Sequence, residues 1–228
     1  MKIGKENPSN RFWVRLKPNE LNRQRRYKLA NICSSNYRFI FKDEATATKF
    51  SDFVASQVAP NYQGFPGYAD TRSIKQAVVG KGDRDSEIRE SIYGAYIERP
   101  NPNEVTLYGE SCWVPCPRSW QLIAESFDED VQVFYFATEF GCDICHSNDL
   151  DGVGEVIFDL YDESVLPDWF RPEPDPISAG LAVSMLRKLL NSPTDDLDSL
   201  IEEFEESEYA KGASIHVVEY RPICDWPW

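Results

Sequence analysis

Two pairs of cysteines have the spacing that is typical of metal or redox chemistry. Cys112 and Cys116 form a Cys-x3-Cys pair, and Cys142 and Cys145 form a Cys-x2-Cys pair that His146 follows directly. Four thiolates at such spacings suit the tetrahedral coordination of a structural Zn²⁺ ion, and a histidine can replace one of them. The sequence therefore predicts a candidate zinc site formed by Cys112, Cys116, Cys142 and Cys145.

The second pair is also open to other interpretations. Cys142 to His146 matches a site of covalent haem attachment, but that chemistry belongs to exported proteins, and no secretory signal is seen in residues 1–10. A redox pair needs a thiolate stabilised at a helix N-terminus, whereas this motif is predicted to follow a strand and precede a loop. The remaining alternative is unligated thiols, so the predicted cofactor is none or one structural zinc. Cys33 and Cys224 are expected to be small buried side chains.

Charge is strongly segregated along the chain. The formal net charge is −14, with +8 in residues 1–50, −2 in residues 51–124 and −20 in residues 125–228. Either the basic head pairs with the acidic half inside the molecule, or the acidic half attracts a basic protein and repels nucleic acid. Nucleic acid is therefore expected to bind, if at all, only through the basic N-terminal segment, whose densest patch is Arg23–Lys28.

The acidic residues are densest near the C-terminus, on a predicted helix with an apolar stripe at Leu197, Leu200, Ile201 and Phe204. This run reads either as a solvated face or as a docking surface. As a docking surface, its predicted partner-binding residues are Asp195, Asp196, Asp198, Glu202, Glu203, Glu205 and Glu206. We predict no catalytic residue, because the chain has two histidines and no phosphate-binding glycine loop.

Hydrophobic patterning predicts a mixture of helices and strands. The order over residues 37–136 is strand, helix, strand, strand, helix, strand, which is the ferredoxin-like split βαβ pattern. Asp43-Glu44 opens the first helix, and Pro117 suits the first turn of the second. Towards the C-terminus, Ser178 can cap a helix that is apolar nearly all round and is expected to be buried, and Ser192-Pro193 is expected to start the acidic helix.

Some of these segments are similar to the YubB-type family of plasmid and phage proteins. Ala30-Asn31, Cys33-Ser34 and Asn36 precede the strand Tyr37–Phe41 and resemble the Asn-Trp-Cys motif that opens such domains, although Ile32 stands where tryptophan is expected. The segment Trp120–Tyr161 resembles the second half of the family, with a helix, an aromatic strand, a turn and another strand. The resemblance implies a small ferredoxin-like sheet and an origin in a mobile genetic element. It implies no catalytic residues.

Together these features predict an α+β protein with a ferredoxin-like split βαβ sheet, an N-terminal extension and a C-terminal helical, acidic segment. The predicted domains are a basic extension (1–30), a ferredoxin-like domain (31–161), a proline-rich connection (162–176) and acidic helices with a last strand (177–228). The expected function is a non-enzymatic binding protein of a phage or plasmid that acts as a DNA mimic against a basic host defence or DNA-processing protein. The alternative is a zinc-stabilised nucleic-acid-binding module. No apolar run reaches the length of a membrane span, so we expect a cytoplasmic protein.

Overall fold

The computed structural model describes residues 32–60, 67–142, 144–172 and 175–226 of the 228-residue chain. The described residues divide into two compact units. The first unit contains the residues up to Ile144 together with those from Arg221 onwards, and the second unit is Cys145–Tyr220. The predicted basic extension, 1–30, lies outside the described residues.

The first unit is built on antiparallel strands. Its elements in chain order are β1 (Ile32–Ile40), α1 (Glu44–Gln57), β2 (Tyr68–Asp70), α2 (Thr71–Val78), β3 (Glu90–Glu98), β4 (Glu104–Cys112), α3 (Pro117–Glu125) and β5 (Gln132–Glu139). The strands lie in the order β2-β3-β4-β1-β5, and each neighbouring pair is antiparallel. The mixed class of helices and strands is therefore confirmed.

Strand β1 lies at the centre of this arrangement, with Tyr37 opposite Leu107 of β4 and Tyr135 of β5. Its side chains alternate between two environments, as the period of a strand requires. The side chains of one face are fully buried, namely Cys33, Ser35, Tyr37 and Phe39. The residues between them are half-buried. The aromatic residues of this predicted strand therefore belong to the core.

Helices α1 and α3 supply the other side of that core. Asp43 caps α1 by accepting a 2.7 Å hydrogen bond from the backbone N–H of Thr46, as the sequence predicts. Phe50 of α1 lies 4.9 Å from Phe39 between ring centroids, and Trp120 of α3 lies 6.1 Å from Phe39. Pro117 occupies the first turn of α3, so that prediction is also confirmed.

The second unit has shorter strands and two longer helices. Its elements are β6 (Ile144–Ser147, which begins at the unit boundary), α4 (Leu150–Val153), β7 (Val156–Leu160), α5 (Ala179–Leu190), α6 (Leu197–Glu205), β8 (Ala213–Val217) and β9 (Glu219–Tyr220). Strands β7 and β8 pair antiparallel, and β6 and β9 pair parallel. The apolar side chains of β7, α5 and α6 meet in one buried cluster, to which Leu166 and Phe170 of the proline-rich connection also contribute.

The pairing of β7 differs from the predicted grouping of residues 31–161. The sequence predicts that the strand after the Gly152–Gly154 turn belongs with the ferredoxin-like half. It lies instead in the second unit, where Val156 is opposite Val217 of β8. The physical reason is the inward face of β7, because Val156 and Phe158 are buried against α5 and α6.

Two predictions about the C-terminal helices are wrong. Helix α5 is not buried on all sides: Ala182, Leu186 and Leu189 face the core, while Leu181 is 50% exposed. A helix that covers one side of a small core leaves its other face in water, whatever residues that face carries. Helix α6 begins at Leu197 rather than at Ser192-Pro193, because Asp196 is its N-cap.

In the described part of the chain, no helix has both the length and the apolar character needed to cross a lipid bilayer.

Candidate protein-binding surface

Helix α6 is anchored to the second unit by its apolar stripe. Leu200 and Phe204 are buried in the core of that unit and lie one helical turn apart. Asp198, Glu202 and Glu205 have the spacing i, i+4, i+7, so they lie on the opposite side of the helix. Burial of the apolar stripe therefore fixes which way these carboxylates point, which is into solvent.

The N-terminus of α6 is defined by Asp196. Its carboxylate accepts hydrogen bonds from the backbone N–H of Ser199 at 2.9 Å and from the Ser199 hydroxyl at 2.7 Å. The Ser199 hydroxyl, followed by the Ser199 backbone N–H, lowers the pKa of Asp196 from its ordinary value. Asp196 is therefore ionised at neutral pH, and it both starts the helix and adds to its negative charge.

We call the seven predicted partner-binding carboxylates, Asp195, Asp196, Asp198, Glu202, Glu203, Glu205 and Glu206, the acidic surface. All seven residues are exposed. The ion pairs formed among the described residues involve none of these carboxylates, so none has a basic nitrogen within 4.0 Å there. The acidic surface therefore presents its full charge to solvent as far as the described residues reach.

The arrangement of these charges opposes the stability of the helix. Asp198 and Glu202 are like charges at i, i+4, which costs a few tenths of a kcal/mol. Glu205 and Glu206 lie at the C-terminal end of α6, where the helix dipole favours cations. Local rules of this kind are broken most often at functional sites, because packing elsewhere offsets the cost. Here the packing is supplied by Leu200 and Phe204.

Other carboxylates of the second unit have structural partners. Glu155 accepts a 2.8 Å hydrogen bond from the backbone N–H of Ala179 at the start of α5. Glu163 and Asp168 both pair with Arg171, at 3.4 and 3.6 Å. These residues hold the chain together, whereas the acidic surface, Asp196 apart, makes no such side-chain bond within the described ranges.

The predicted cysteine site is placed only in part. Cys112 ends β4 opposite Ile32, Cys116 is the N-cap residue of α3, and the backbone of Cys142 follows β5. The register of β1 with β4 and β5 brings these three positions to the same end of the sheet, as predicted. Cys145 lies on strand β6 in the second unit.

The three buried thiols, Cys33, Cys116 and Cys145, are protonated at neutral pH. Burial, followed by the negative charge of Glu90, raises the pKa of Cys116 well above its ordinary value. Burial, followed by Glu219, raises the pKa of Cys145 to about 12. Among the described residues, no three His, Cys, Asp or Glu side chains are placed to hold a metal ion together. The side chain of Cys142 lies outside that set, so the zinc site stays a prediction. Cys33 is buried as expected, but Cys224 is exposed, so its predicted burial is wrong.

A buried carboxylate that sequence patterns do not reveal lies in the core of the first unit. Glu90 is 1% exposed and accepts hydrogen bonds from the Tyr37 hydroxyl at 2.6 Å, the Trp120 indole N–H at 2.6 Å and the Thr71 hydroxyl at 3.2 Å. Burial raises the pKa of Glu90 to about 7, although these hydrogen bonds act in the opposite direction. Its donors come from three separate elements, so no local spacing could have predicted the group.

Comparisons with protein-family models, with curated proteins and with solved structures find no match for this chain. The resemblance to the YubB-type family therefore stays a prediction.

Proposed function

We propose that this chain is a non-enzymatic binding protein whose acidic surface engages a basic protein in place of nucleic acid. The observation that carries the proposal is the exposure of all seven carboxylates without a basic neighbour within 4.0 Å among the described residues. A basic groove that binds nucleic acid would meet uncompensated negative charge there. Complementary potentials of this kind mainly speed association and select the partner.

The spacing of the charges supports DNA mimicry. Helix α6 has nine residues and carries Asp198, Glu202, Glu203 and Glu205. At 1.5 Å per residue the helix is about 13.5 Å long, which gives one carboxylate per about 3.4 Å. One strand of DNA carries one phosphate per roughly 3.4 Å of helix axis, so a protein groove built for a phosphate strand would find a similar charge density.

The fold and origin belong to the same proposal. We infer that residues 32–139 adopt the ferredoxin-like split βαβ arrangement, which is supported by the strand order β3-β4-β1-β5 and by its antiparallel pairs. The proposed origin in a phage or plasmid rests on the family resemblance alone. A partner in a host defence or DNA-processing system would place the protein in the host cytoplasm.

The proposal is tested by capture of basic proteins from a bacterial extract on the immobilised full chain. We expect retained basic proteins at 50 mM salt and their release by 500 mM salt, because the Debye length falls severalfold over this range. The test variant carries Glu202→Gln, Glu203→Gln and Glu205→Gln, which remove three charges from α6 and leave Leu200 and Phe204 in place. We expect this variant to retain at least tenfold less of each captured protein.

The matched control removes three charges elsewhere. Asp52, Asp83 and Glu87 are exposed acids of the first unit, and Asp52→Asn, Asp83→Asn and Glu87→Gln change the net charge by the same amount. The control should capture as the wild type does. Equal loss in both variants would mean that net charge, rather than the acidic surface, causes retention.

A further inference from the structure

Strand β3 contains an irregularity that concentrates tyrosines at one point of the first unit's sheet. Ile92 is opposite Gly109 and Ile97 is opposite Leu107, so residues 93–96 of β3 face Tyr108 alone. An insertion of this kind bends the strand and re-aims its side chains, and it is over-represented next to functional sites. Gly94 permits the close packing here, because a Cβ at this position would lie 2.8 Å from Val58 Cγ1.

Two of the tyrosines brought together in this way donate to the same carboxylate. The ring of Tyr108 lies 6.3 Å from that of Tyr93 and 5.6 Å from that of Tyr96, between centroids. The Tyr93 hydroxyl donates to Glu110 Oε2 at 2.9 Å, and the Tyr108 hydroxyl donates to Glu110 Oε1 at 3.0 Å. On the other side of Tyr93, the edge strand β2 places Tyr68 opposite it, and Tyr68 is 57% exposed.

The charge of this cluster is negative and unbalanced. Glu110 is half-buried, and the ion pairs of the described residues do not include it, so no basic nitrogen there lies within 4.0 Å of its carboxylate. A carboxylate has about four acceptor positions, and the two tyrosine hydroxyls occupy two of them. Aromatic ring faces are also negative and attract cations within about 6 Å of their centroids. Tyr93 and Tyr96 are half-buried, whereas Tyr108 is buried and supports the other two rings.

We propose that Tyr93, Tyr96 and Glu110, supported by the buried Tyr108, form a binding site for an organic cation, namely the guanidinium or ammonium group of a basic side chain of a partner protein. A guanidinium group fits both parts of the site, because it stacks on aromatic faces and donates paired hydrogen bonds to a carboxylate. The site is composed of first-unit residues, whereas the acidic surface belongs to the second unit. Its existence therefore does not depend on the function proposed above.

The test uses two tripeptides that differ only in charge. Acetyl-Gly-Arg-Gly-amide carries a guanidinium group, and acetyl-Gly-citrulline-Gly-amide is its neutral isostere. Each is titrated into the full chain while the ring signals of the tyrosines are followed by NMR. We expect the arginine peptide to shift the signals of Tyr93, Tyr96 and Tyr108 in a saturable way, and the citrulline peptide to bind at least tenfold more weakly.

Two substitutions locate the binding. Glu110→Gln keeps the acceptor oxygen but removes the charge, and it should weaken binding of the arginine peptide about tenfold. Glu98→Gln makes the same change at an exposed position of β3 and should leave the affinity unchanged. Equal shifts by the two peptides, which are measured on the wild type and need no variant to fold, would overturn the proposal. So would unchanged affinity in a folded Glu110→Gln variant.

Discussion

The indole N–H of Trp120 donates a 2.6 Å hydrogen bond to the carboxylate of Glu90, and both side chains are almost completely buried. This bond joins the middle of α3 to the first residue of β3. A buried carboxylate costs several kcal/mol unless it is hydrogen-bonded, so the three donors around Glu90 decide whether the first unit tolerates the charge.

The protonation of Glu90 makes stability depend on pH. Its pKa is raised from 4.5 to about 7 in the folded state, so the folded chain holds a proton that the unfolded chain releases at lower pH. This contribution is fully present below about pH 4.5 and is lost as pH rises to about 7. The loss amounts to about 3 kcal/mol at most, at 1.36 kcal/mol per unit.

The Glu90→Gln variant should lack this dependence. Urea unfolding at pH 5 and pH 8 is expected to show a smaller loss of stability with rising pH in the variant than in the wild type. Subtracting the free energy of unfolding of the variant from that of the wild type at each pH removes the contribution of the other carboxylates. Identical pH profiles would mean that Glu90 titrates normally.

Replacing Trp120 by Phe should leave Glu90 with one donor fewer. We expect a loss of about 1–3 kcal/mol, because a buried polar group loses its partner. The pKa of Glu90 should rise further, which moves the pH window of the preceding prediction upwards. The control is Trp113→Phe, since Trp113 is 50% exposed. Equal effects at the two positions would show that the Trp120 hydrogen bond is unimportant.

The anchor of the acidic surface is Phe204. Phe204→Ala should destabilise the second unit by about 3–5 kcal/mol, because it removes a fully buried ring and leaves a cavity. Leu181→Ala on the exposed side of α5 should cost about 0.5 kcal/mol or less. Hydrogen exchange of the amides of α6 distinguishes the two variants, and strong protection of α6 in the Phe204→Ala variant would contradict the packing described.

The cysteines should differ in reactivity towards iodoacetamide. Cys224 is exposed and should be alkylated first, whereas Cys33, Cys116 and Cys145 are buried. Burial raises the pKa of each of these three thiols, which lowers the fraction of reactive thiolate. Peptide mapping by mass spectrometry gives the order of labelling, and early labelling of Cys116 in the native chain would contradict it.

Much of the first unit could be predicted because its signals are local. The alternation of β1, the Asp43 cap and Pro117 each depend on a few neighbouring residues. The partner of β7 could not be predicted in this way, since β8 lies more than fifty residues further along the chain. Which strands meet is decided by tertiary packing, for which the sequence of β7 carries no local signal.

The candidate sites also differ in how far the sequence predicts them. The orientation of Glu202 and Glu205 follows from the apolar stripe of α6, which the sequence displays directly. Glu90 and Glu110 look like ordinary surface residues in the sequence. The tyrosine and tryptophan donors of Glu90 come from distant elements, and one of the two donors of Glu110, Tyr93, lies on the neighbouring strand. A carboxylate of this kind can be recognised only from the folded structure, in which its hydrogen-bond donors are brought together.

The most direct test of the acidic surface is displacement of proteins from DNA. DNA-binding proteins of a bacterial extract are loaded on DNA-cellulose at 50 mM salt, and the full chain is then added. We predict that the wild type and the Asp52, Asp83, Glu87 control release the same subset of proteins. The Glu202, Glu203, Glu205 variant should need at least tenfold higher concentration for the same release. Equal release by all three proteins, or none by the wild type, would contradict the account.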